Sequence, residues 1–429
     1  MRFLFLPSLL FVAVGFGAQA QAQELTPPAA QGAFAEAKSL SISDAGSTWG
    51  VPLYGPMLFV DPATRHAIAN EPDAQGALVK TANVYSATLP ADLPLANTAV
   101  EWKGKRWTMV LWPLPQDPLA RNRLLAHEMF HRIQPALHIS ATDAANHQLD
   151  QLQGRIWLRL EWRALAAALA ANTITDREAA IADALAFRSY RQSLFPGSAV
   201  SEEELELSEG LAEYTGVRLS GPDAASARWH TIAALAAPSS TQSFVRSFAY
   251  TSGPAYGLLL DLEKKDWHQQ LGAAPSWEEL LGTPPHLTEE EVKSRAIKYG
   301  YAAVLLQETD HAKQSEEVHA RYSKLLVSGP TLSLPILSAF HYSFNPNELI
   351  PLGNEGMVYP TLQASDEWGT IEVSQGALVS HPKHLIHVAA PGSPTAADGK
   401  ISGPGWVLTL APGWKLEATT NGSFELKKQ

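Results

Sequence analysis

The segment of residues 124–133, which reads LLAHEMFHRI, restricts the possible folds more than any other stretch of this sequence. His127 and His131 are four positions apart, and in an α-helix this spacing puts both side chains on the same face. The apolar residues around them predict that the helix packs into a hydrophobic core, where imidazoles without a partner are costly. The chain is therefore expected to fold around a buried helix that presents two histidines to one point.

Glu128 completes the pattern H-E-x-x-H with these two histidines. Two imidazole nitrogens on one helical face can bind a single zinc ion at about 2.0–2.1 Å. Glu128 lies about 100° further around the helix, from where it can reach a water on that ion. Two ligands do not complete such a site, so the pattern predicts a third protein ligand elsewhere in the chain.

His138 is the nearest candidate for the third ligand. Zinc proteases with all three ligands in one segment use H-E-x-x-H-x-x-G-x-x-H, which requires Gly at position 134 and His at position 137. This sequence has Gln134 and Leu137 there. We therefore interpret His138 as a loop residue that follows the helix-ending Pro135.

The stretch of residues 201–219, SEEELELSEGLAEYTGVRL, offers a better candidate. Ser201 and Glu204 have the spacing of a capping box and predict that a helix starts there. Glu209 and Glu213 are four positions apart, so their carboxylates share a face of that helix. The simpler alternative is that Glu209 is one more solvated charge on an acidic helix.

H-E-x-x-H followed by E-G-x-A-E on a later helix resembles the gluzincin metallopeptidases, a group that includes the thermolysin-like and aminopeptidase N-like enzymes. The resemblance implies that Glu209 is the third ligand of one zinc ion and that Glu213 supports a zinc-binding histidine. It also implies that Glu128 is the general base of peptide-bond hydrolysis. The segment between His131 and Glu209 is much longer than in the aminopeptidase N-like enzymes and reads as two additional helices.

Residues 248–262, FAYTSGPAYGLLLDL, resemble the Y-x-x-G helix start of the aminopeptidase N-like group. The resemblance implies that Tyr250 stabilises the oxyanion of the reaction. Tyr256 is the alternative, and a packed aromatic residue at a helix start is the simpler interpretation. The run Ser252–Pro254 predicts that the helix begins just after Tyr250. No G-x-M-E-N segment, which anchors a free substrate N-terminus in aminopeptidases, precedes His127.

The N-terminus and the composition indicate an exported protein. Residues 1–22 combine Arg2, an apolar run and small residues suited to signal peptidase, which are the features of a cleaved signal peptide.

The 429-residue chain has no cysteine, which excludes disulfides and a thiol nucleophile. No later apolar run is long enough to span a membrane. The net charge of −11 argues against a nucleic-acid partner. We expect a bacterial periplasmic or secreted protein whose partner is a peptide or protein substrate.

The sequence pattern divides the rest of the chain into three parts. Residues 23–116 are expected to be mainly β, with a hairpin around Asp61–Pro62. Residues 117–329 form the predicted helical metallopeptidase region, which Asp117–Pro118 opens. Residues 330–429, rich in Gly, Pro and alternating apolar residues, predict a small all-β domain. The expected fold is α+β, a zincin-like catalytic core with a mostly helical C-terminal part, followed by the β domain.

Together these observations predict an exported zinc metallopeptidase. The strand predicted over residues 107–112 precedes the metal-binding helix, as the substrate-pairing edge strand does in zincins; the alternative is a core strand. Among enzymes, the rival interpretation is a zinc hydrolase that acts on a non-peptide substrate. Outside enzymes, it is a noncatalytic envelope protein that binds a peptide or a partner and has a degenerate metal site. The sequence implies no particular oligomeric state.

Overall fold

The computed structural model describes residues 24–140, 142, 144, 146–237, 243–263, 266–271, 276–285, 287–345, 349–380, 382–392 and 399–429. The protein is mixed α/β, about half helical, with a β-rich C-terminal part. The predicted signal peptide, residues 1–22, lies outside the described residues. Among the residues that are described, no helix is both long enough and apolar enough to cross a membrane.

The helices are concentrated in the N-terminal three quarters of the chain. They are α1 (Pro27–Asp44), α2 (Pro118–Ile133), α3 (Leu152–Ala170), α4 (Ile174–Leu194), α5 (Ser198–Leu205), α6 (Leu211–Ser220), α7 (Ala224–Ala236), α8 (Ser247–Glu263), α9 (Trp277–Leu281), α10 (Glu289–Ile297) and α11 (Tyr301–Ser323). Short 3₁₀ segments are Gln134–Leu137, His147–Asp150, Trp267–Gln270, Gly353–Glu355 and Thr420–Gly422. π-Helical turns follow α5 and α11, at Glu206–Gly210 and Lys324–Ser328. The turn Glu206–Gly210 is called the π-turn below.

The strands form three sheets. The N-terminal sheet has the order β3-β4-β2-β1-β6-β5, built from β1 (Met57–Val60), β2 (His66–Ala69), β3 (Val79–Thr81), β4 (Val84–Thr88), β5 (Thr98–Trp102) and β6 (Lys105–Leu111). The C-terminal strands are β7 (Thr331–Pro335), β8 (His341–Phe344), β9 (Ile350–Pro351), β10 (Met357–Tyr359), β11 (Leu362–Asp366), β12 (Gly369–Val373), β13 (Ala377–Ser380), β14 (Leu385–Ala389), β15 (Lys400–Gly403), β16 (Trp406–Leu410), β17 (Trp414–Ala418) and β18 (Phe424–Lys428). They form sheets of order β17-β18-β7-β14-β13-β10-β9 and β15-β16-β12-β11-β8, which share one hydrophobic core.

The chain forms two compact units, Met1–Leu306 and Gln307–Gln429. The second unit begins earlier than the boundary predicted near residue 330. The reason is that the end of α11 and the turn after it pack with the strands of this unit, since Tyr322 and Leu326 lie in one buried cluster with Val358. In the first unit, the N-terminal sheet and the helices line a common core.

The N-terminal sheet corrects one expectation about its strands. The hairpin predicted around Asp61–Pro62 is confirmed, with Leu58 opposite Ala69 in antiparallel register. β6 lies between β1, its parallel neighbour, and β5, its antiparallel neighbour. The prediction that residues 107–112 form a substrate-pairing edge is therefore wrong, because strands already pair with both sides of β6. The edge on that side of the sheet is β5.

α2 carries the H-E-x-x-H pattern and is fixed at both ends. At its start, the Asp117 side chain accepts a hydrogen bond from the N–H of Ala120 at 2.8 Å, and a proline follows in the first turn, as predicted. At its end, the guanidinium of Arg106 on β6 donates to the carbonyls of His131 and Arg132, both at 3.1 Å. Because one face of α2 is also buried in the core, its rotation is set.

α5 begins at a position other than the one predicted. The helix before it, α4, is capped by Thr173, whose side chain accepts a hydrogen bond from a backbone N–H of the first turn. α5 begins at Ser198 and not at Ser201. The Ser201 hydroxyl donates instead to Asn146 Oδ1 at 2.8 Å, so a tertiary contact takes the group that the capping box would use.

α8 also begins earlier than predicted, at Ser247 instead of Ser252. Pro254 lies inside this helix. A proline there has no N–H to donate to the carbonyl of Tyr250, which weakens the ladder locally but does not end the helix. Tyr250 therefore lies in the first turn of α8 and not in a loop before it. The direction of its side chain is set by the position of this helix.

A buried charge cluster adjoins the π-turn and consists of Glu161, Arg188, Arg191, Glu202 and Glu206. Arg188 binds both carboxylate oxygens of Glu206, at 3.0 and 2.6 Å. Arg191 bridges Glu161 and Glu202, at 3.0 Å from each. The cluster contains three carboxyl groups and only two guanidinium groups. Burial raises the pKa of Glu206 to about 7, although the positive charge of Arg188 lowers it. The cluster ties α3, α4 and α5 to the π-turn.

The bidentate Arg188–Glu206 pair gives the first prediction. Arg188→Met should lower the free energy of unfolding by about 3–5 kcal/mol, because it leaves a buried carboxylate without its counter-charge. Adding Glu206→Gln should recover part of this loss. Lys293→Met, which removes the exposed pair with Glu289, is the control and should change little. Urea unfolding measures all of these variants, and a similar result for Arg188→Met and Lys293→Met would contradict the prediction.

Candidate metal centre

His127, His131 and Glu209 converge on one point, with one possible ligand atom from each residue within 4.8 Å of the others. The two Nε2 atoms are 3.0 Å apart, and each is 3.6 Å from Glu209 Oε2. Ligand atoms at about 2.0–2.1 Å from a tetrahedral zinc ion are roughly 3.3 Å apart, which matches this triangle. In the part of the chain that the structure describes, this is the one such group of His, Cys, Asp and Glu side chains.

A partner on Nδ1 orients each histidine. His127 Nδ1 lies 2.7 Å from Glu213 Oε2, and His131 Nδ1 lies 3.0 Å from Gln134 Oε1. Both partners are acceptors, so each neutral imidazole has its proton on Nδ1 and its lone pair on Nε2. Two nitrogen lone pairs and a carboxylate oxygen then face one another with no donor among the three. A cation between them satisfies all three, and this set of nitrogen and oxygen ligands suits zinc.

Protons carry the positive charge of this centre when no cation is bound. Burial opposes protonation of His127, but hydrogen bonds to Glu209 and Glu213 outweigh burial and raise the pKa of His127 to about 10. Burial also opposes ionisation of Glu209, yet the charges of the two histidines hold the pKa of that carboxyl well below its usual range. The centre therefore attracts positive charge strongly, and a divalent cation can displace its protons.

Glu128 is buried beside this centre. Its Oε2 atom has no hydrogen-bond partner among the described residues. Burial raises the pKa of Glu128, although the charges of His127 and His131 oppose the shift. A buried carboxylate oxygen that no protein donor occupies is available to accept a proton from a bound water.

Glu213 lies on the Nδ1 side of His127. Arg123, one turn before His127 in α2, donates to the other Glu213 oxygen. Burial opposes ionisation of Glu213, but the charge of Arg123 and the hydrogen bond to His127 lower its pKa. Glu213 thus stays an ionised acceptor, which fixes the ring of His127.

Glu209 lies in the π-turn, where a wider i→i+5 hydrogen bond replaces the usual one. α8 crosses this turn with Gly253 against Gly210, and a Cβ on Gly253 would overlap the backbone of Gly210. The two glycines let the backbones touch directly. The helix that carries Tyr250 can therefore approach the turn that carries Glu209.

Tyr250 closes one side of the centre. Its hydroxyl donates to Glu209 Oε2 at 2.5 Å, and its ring stacks on the ring of His127, with centroids 5.7 Å apart and planes at 2°. The Tyr250 hydroxyl would lie at most about 4.7 Å from an ion bound to that same oxygen at 2.0–2.2 Å. Arg246, one turn earlier, places Nη2 at 3.7 Å from Glu209 Oε1.

Tyr256 and His138 lie apart from this group. Tyr256 donates to Glu161 of the buried charge cluster at 2.7 Å, so Tyr250 is the tyrosine beside the candidate ligands. His138 is exposed and has a left-handed backbone, with φ of 58°, where the chain leaves α2. Gln134, which in the sequence only breaks a zinc-protease pattern, contacts His131 in the structure. Its spacing of three residues from His131 was the available signal that the two side chains meet.

No protein-family model, no curated protein and no solved structure matches this chain. The gluzincin interpretation therefore depends on the residues and on the geometry of the centre alone.

The geometry predicts which residues hold zinc. Glu209→Ala should weaken zinc binding severely, because it removes one of three ligands. His138→Ala is the matched control on the other candidate and should bind zinc as the wild type does. A competition titration with a chelator measures both affinities. The reverse pattern would place the third ligand at His138.

The raised pKa of His127 predicts opposite effects of pH on the metal-free protein and on zinc binding. The pKa rises from 6.5 to about 10 on folding. Its contribution to stability is thus fully present below pH 6.5 and is lost as the pH rises through about 10. Zinc requires unprotonated imidazole, so its affinity should increase across the same window, by roughly tenfold per pH unit for each proton displaced. Urea unfolding of metal-free protein and chelator-buffered zinc titrations test both trends, and a pH-independent zinc affinity would contradict the assignment.

Proposed function

We propose that this protein is a zinc-dependent metallopeptidase of the gluzincin type. One observation carries the proposal: when both imidazoles are neutral, the two histidine Nε2 atoms and Glu209 Oε2 are three acceptors that converge on one point. Beside them is a buried carboxylate, Glu128, whose Oε2 has no hydrogen-bond partner among the described residues. A cation would compensate the three converging acceptors, and a water molecule could donate a hydrogen bond to the Glu128 oxygen. The resemblance of the two motifs to gluzincins supports peptide bonds as the substrate.

The residues present fit one zinc ion. His127, His131 and Glu209 would hold it, and three protein ligands leave a fourth position for water or substrate, as in catalytic zinc sites. When bound, zinc supplies a Lewis acid that polarises the substrate carbonyl and lowers the pKa of water to about 7. Glu213 and Gln134 keep both imidazole rings in the orientation that binding requires.

Glu128 moves the proton in the proposed reaction. It accepts the proton of the attacking water and then gives it to the nitrogen of the leaving amine. Its burial supports both steps, because the raised pKa makes the carboxylate a better base than an exposed one. The unoccupied Oε2 means that no protein hydrogen bond has to break first.

Tyr250 stabilises the negative charge that develops on the substrate oxygen. Burial and the nearby charge of Glu209 raise the pKa of its phenol well above the usual value, so the hydroxyl stays a donor. In the structure it donates to Glu209. In the proposed reaction it transfers this hydrogen bond to the substrate oxygen, a contact typically worth about 3 kcal/mol.

The substrate in this proposal is a peptide or protein outside the cytoplasm, in the periplasm or the medium. β5 is the sheet edge closest in sequence to α2, and an extended peptide can add to a free edge through backbone hydrogen bonds. In this proposal, β5 is the strand that pairs with the substrate, instead of residues 107–112.

Glu128→Gln tests the base. The amide cannot take up a proton, and residue 128 is not one of the three candidate ligands, so the variant should keep stoichiometric zinc and lose nearly all hydrolysis of a peptide pool. Zinc content by metal analysis and turnover by a peptide-cleavage assay are measured on the same preparation. Loss of zinc, or turnover at the wild-type rate, would show that Glu128 has another role.

Tyr250→Phe tests the oxyanion contact. It should lower kcat and kcat/KM together by about 10² to 10³, because the hydrogen bond strengthens only in the transition state. Zinc content should remain stoichiometric at saturating metal. Tyr256→Phe is the matched control: it should keep the wild-type kcat and reduce thermal stability, since its hydroxyl bonds to buried Glu161. Unchanged kinetics in Tyr250→Phe would end this assignment.

A further inference from the structure

Gln134 follows the last residue of α2 and is buried, with 2% of its surface exposed. Its amide makes two contacts: Nε2 donates to the backbone carbonyl of Ser208 at 3.0 Å, and Oε1 lies 3.0 Å from His131 Nδ1. Ser208 immediately precedes Glu209 in the π-turn. One side chain therefore joins the helix that carries both histidines to the turn that carries the carboxylate.

The chemistry of these contacts fixes their direction. A backbone carbonyl only accepts hydrogen bonds, so the NH₂ group of Gln134 must face Ser208, and the amide oxygen must face His131. An amide oxygen also only accepts, so His131 must carry a proton on Nδ1. The Nε2 atom of neutral His131 then presents its lone pair to the centre, which is the form that binds metal.

We propose that Gln134 is a positioning residue of the metal centre, which fixes the tautomer and ring orientation of His131 and holds it in register with Glu209. This rests on the proposed function of the centre as a zinc site. The backbone carbonyl of Ser208 thereby determines, through one amide, which nitrogen of His131 is available.

The two histidines differ in the charge of their support. His127 is backed by the carboxylate of Glu213, which Arg123 holds in turn. His131 is backed by a neutral amide that the backbone holds. A carboxylate raises the basicity of an imidazole ligand more than an amide does. The support of His131 therefore orients its ring without adding negative charge to a centre that already contains Glu128, Glu209 and Glu213.

Gln134→Met tests this role, because methionine has a similar length and makes neither hydrogen bond. It should weaken zinc binding by about 10- to 100-fold, as changes to the partners of metal-binding histidines do. It should also abolish the slowly exchanging Nδ1–H resonance of His131 in proton NMR spectra, with or without zinc. Gln192→Met is the matched control. It removes a glutamine hydrogen bond to Glu202, and it should keep wild-type zinc affinity and the His131 resonance.

Gln134→Glu separates the two halves of the contact. It keeps an acceptor for His131 but has no donor for Ser208, so it should retain the Nδ1–H resonance that Gln134→Met loses. Loss of the resonance in this variant as well would overturn the assignment of Gln134 as the acceptor that fixes the tautomer.

The remaining outcomes also decide the proposal. Wild-type zinc affinity in Gln134→Met overturns it, and so does an equal loss in Gln192→Met, which would indicate general destabilisation. An affinity loss with an unchanged His131 resonance overturns the tautomer assignment. Wild-type protein that binds no zinc would refute the proposed function alone, because the His131 resonance of metal-free protein still tests what Gln134 does.

Discussion

The geometry of the candidate metal centre depends on three atoms held face to face, the Nε2 atoms of His127 and His131 and the Oε2 atom of Glu209, all of which are acceptors when the imidazoles are neutral. Such a group is unfavourable unless positive charge occupies its centre. The surrounding structure holds the atoms together all the same: α2 is fixed at both ends, and Nδ1 of each histidine is bonded to an acceptor. This arrangement of side chains is the one on which the proposed cation site rests.

The π-turn carries two carboxylates that face positive charge of different kinds. Glu206, at its start, is bound by the guanidinium of Arg188, which keeps its proton at all ordinary pH values. Glu209, three residues later, faces two imidazoles that can lose their protons. The charge of Arg188 is fixed, and its pair with Glu206 anchors the turn. The charge that Glu209 faces can change, so the same turn joins a fixed guanidinium to the position where the proposed metal ion would replace protons.

The sequence predicted the parts of this centre that depend on local spacing. His127 and His131 follow from the i, i+4 rule, whereas Glu209 required a resemblance, because helix periodicity shows which residues share a face but not which faces meet. The hairpin around Asp61–Pro62 was also local, while the edge position assigned to residues 107–112 was wrong because strand order depends on the whole sheet. The role of Gln134 was not predicted for a related reason. Its two partners, His131 on α2 and Ser208 in the π-turn, lie on different elements that only the tertiary structure brings together.

The contact of Gly210 with Gly253 gives the Y-x-x-G pattern a physical meaning. Gly253 is three residues after Tyr250 and shares its helix face, so the pattern records how closely two pieces of backbone approach. A related chain could keep both histidines and the glutamate and still have a larger residue at either glycine. It would contain the metal motif letter by letter, yet hold its tyrosine too far away to act. Under the proposed function, these two glycines are therefore positions at which a sequence with all the metal ligands can still reveal a displaced tyrosine.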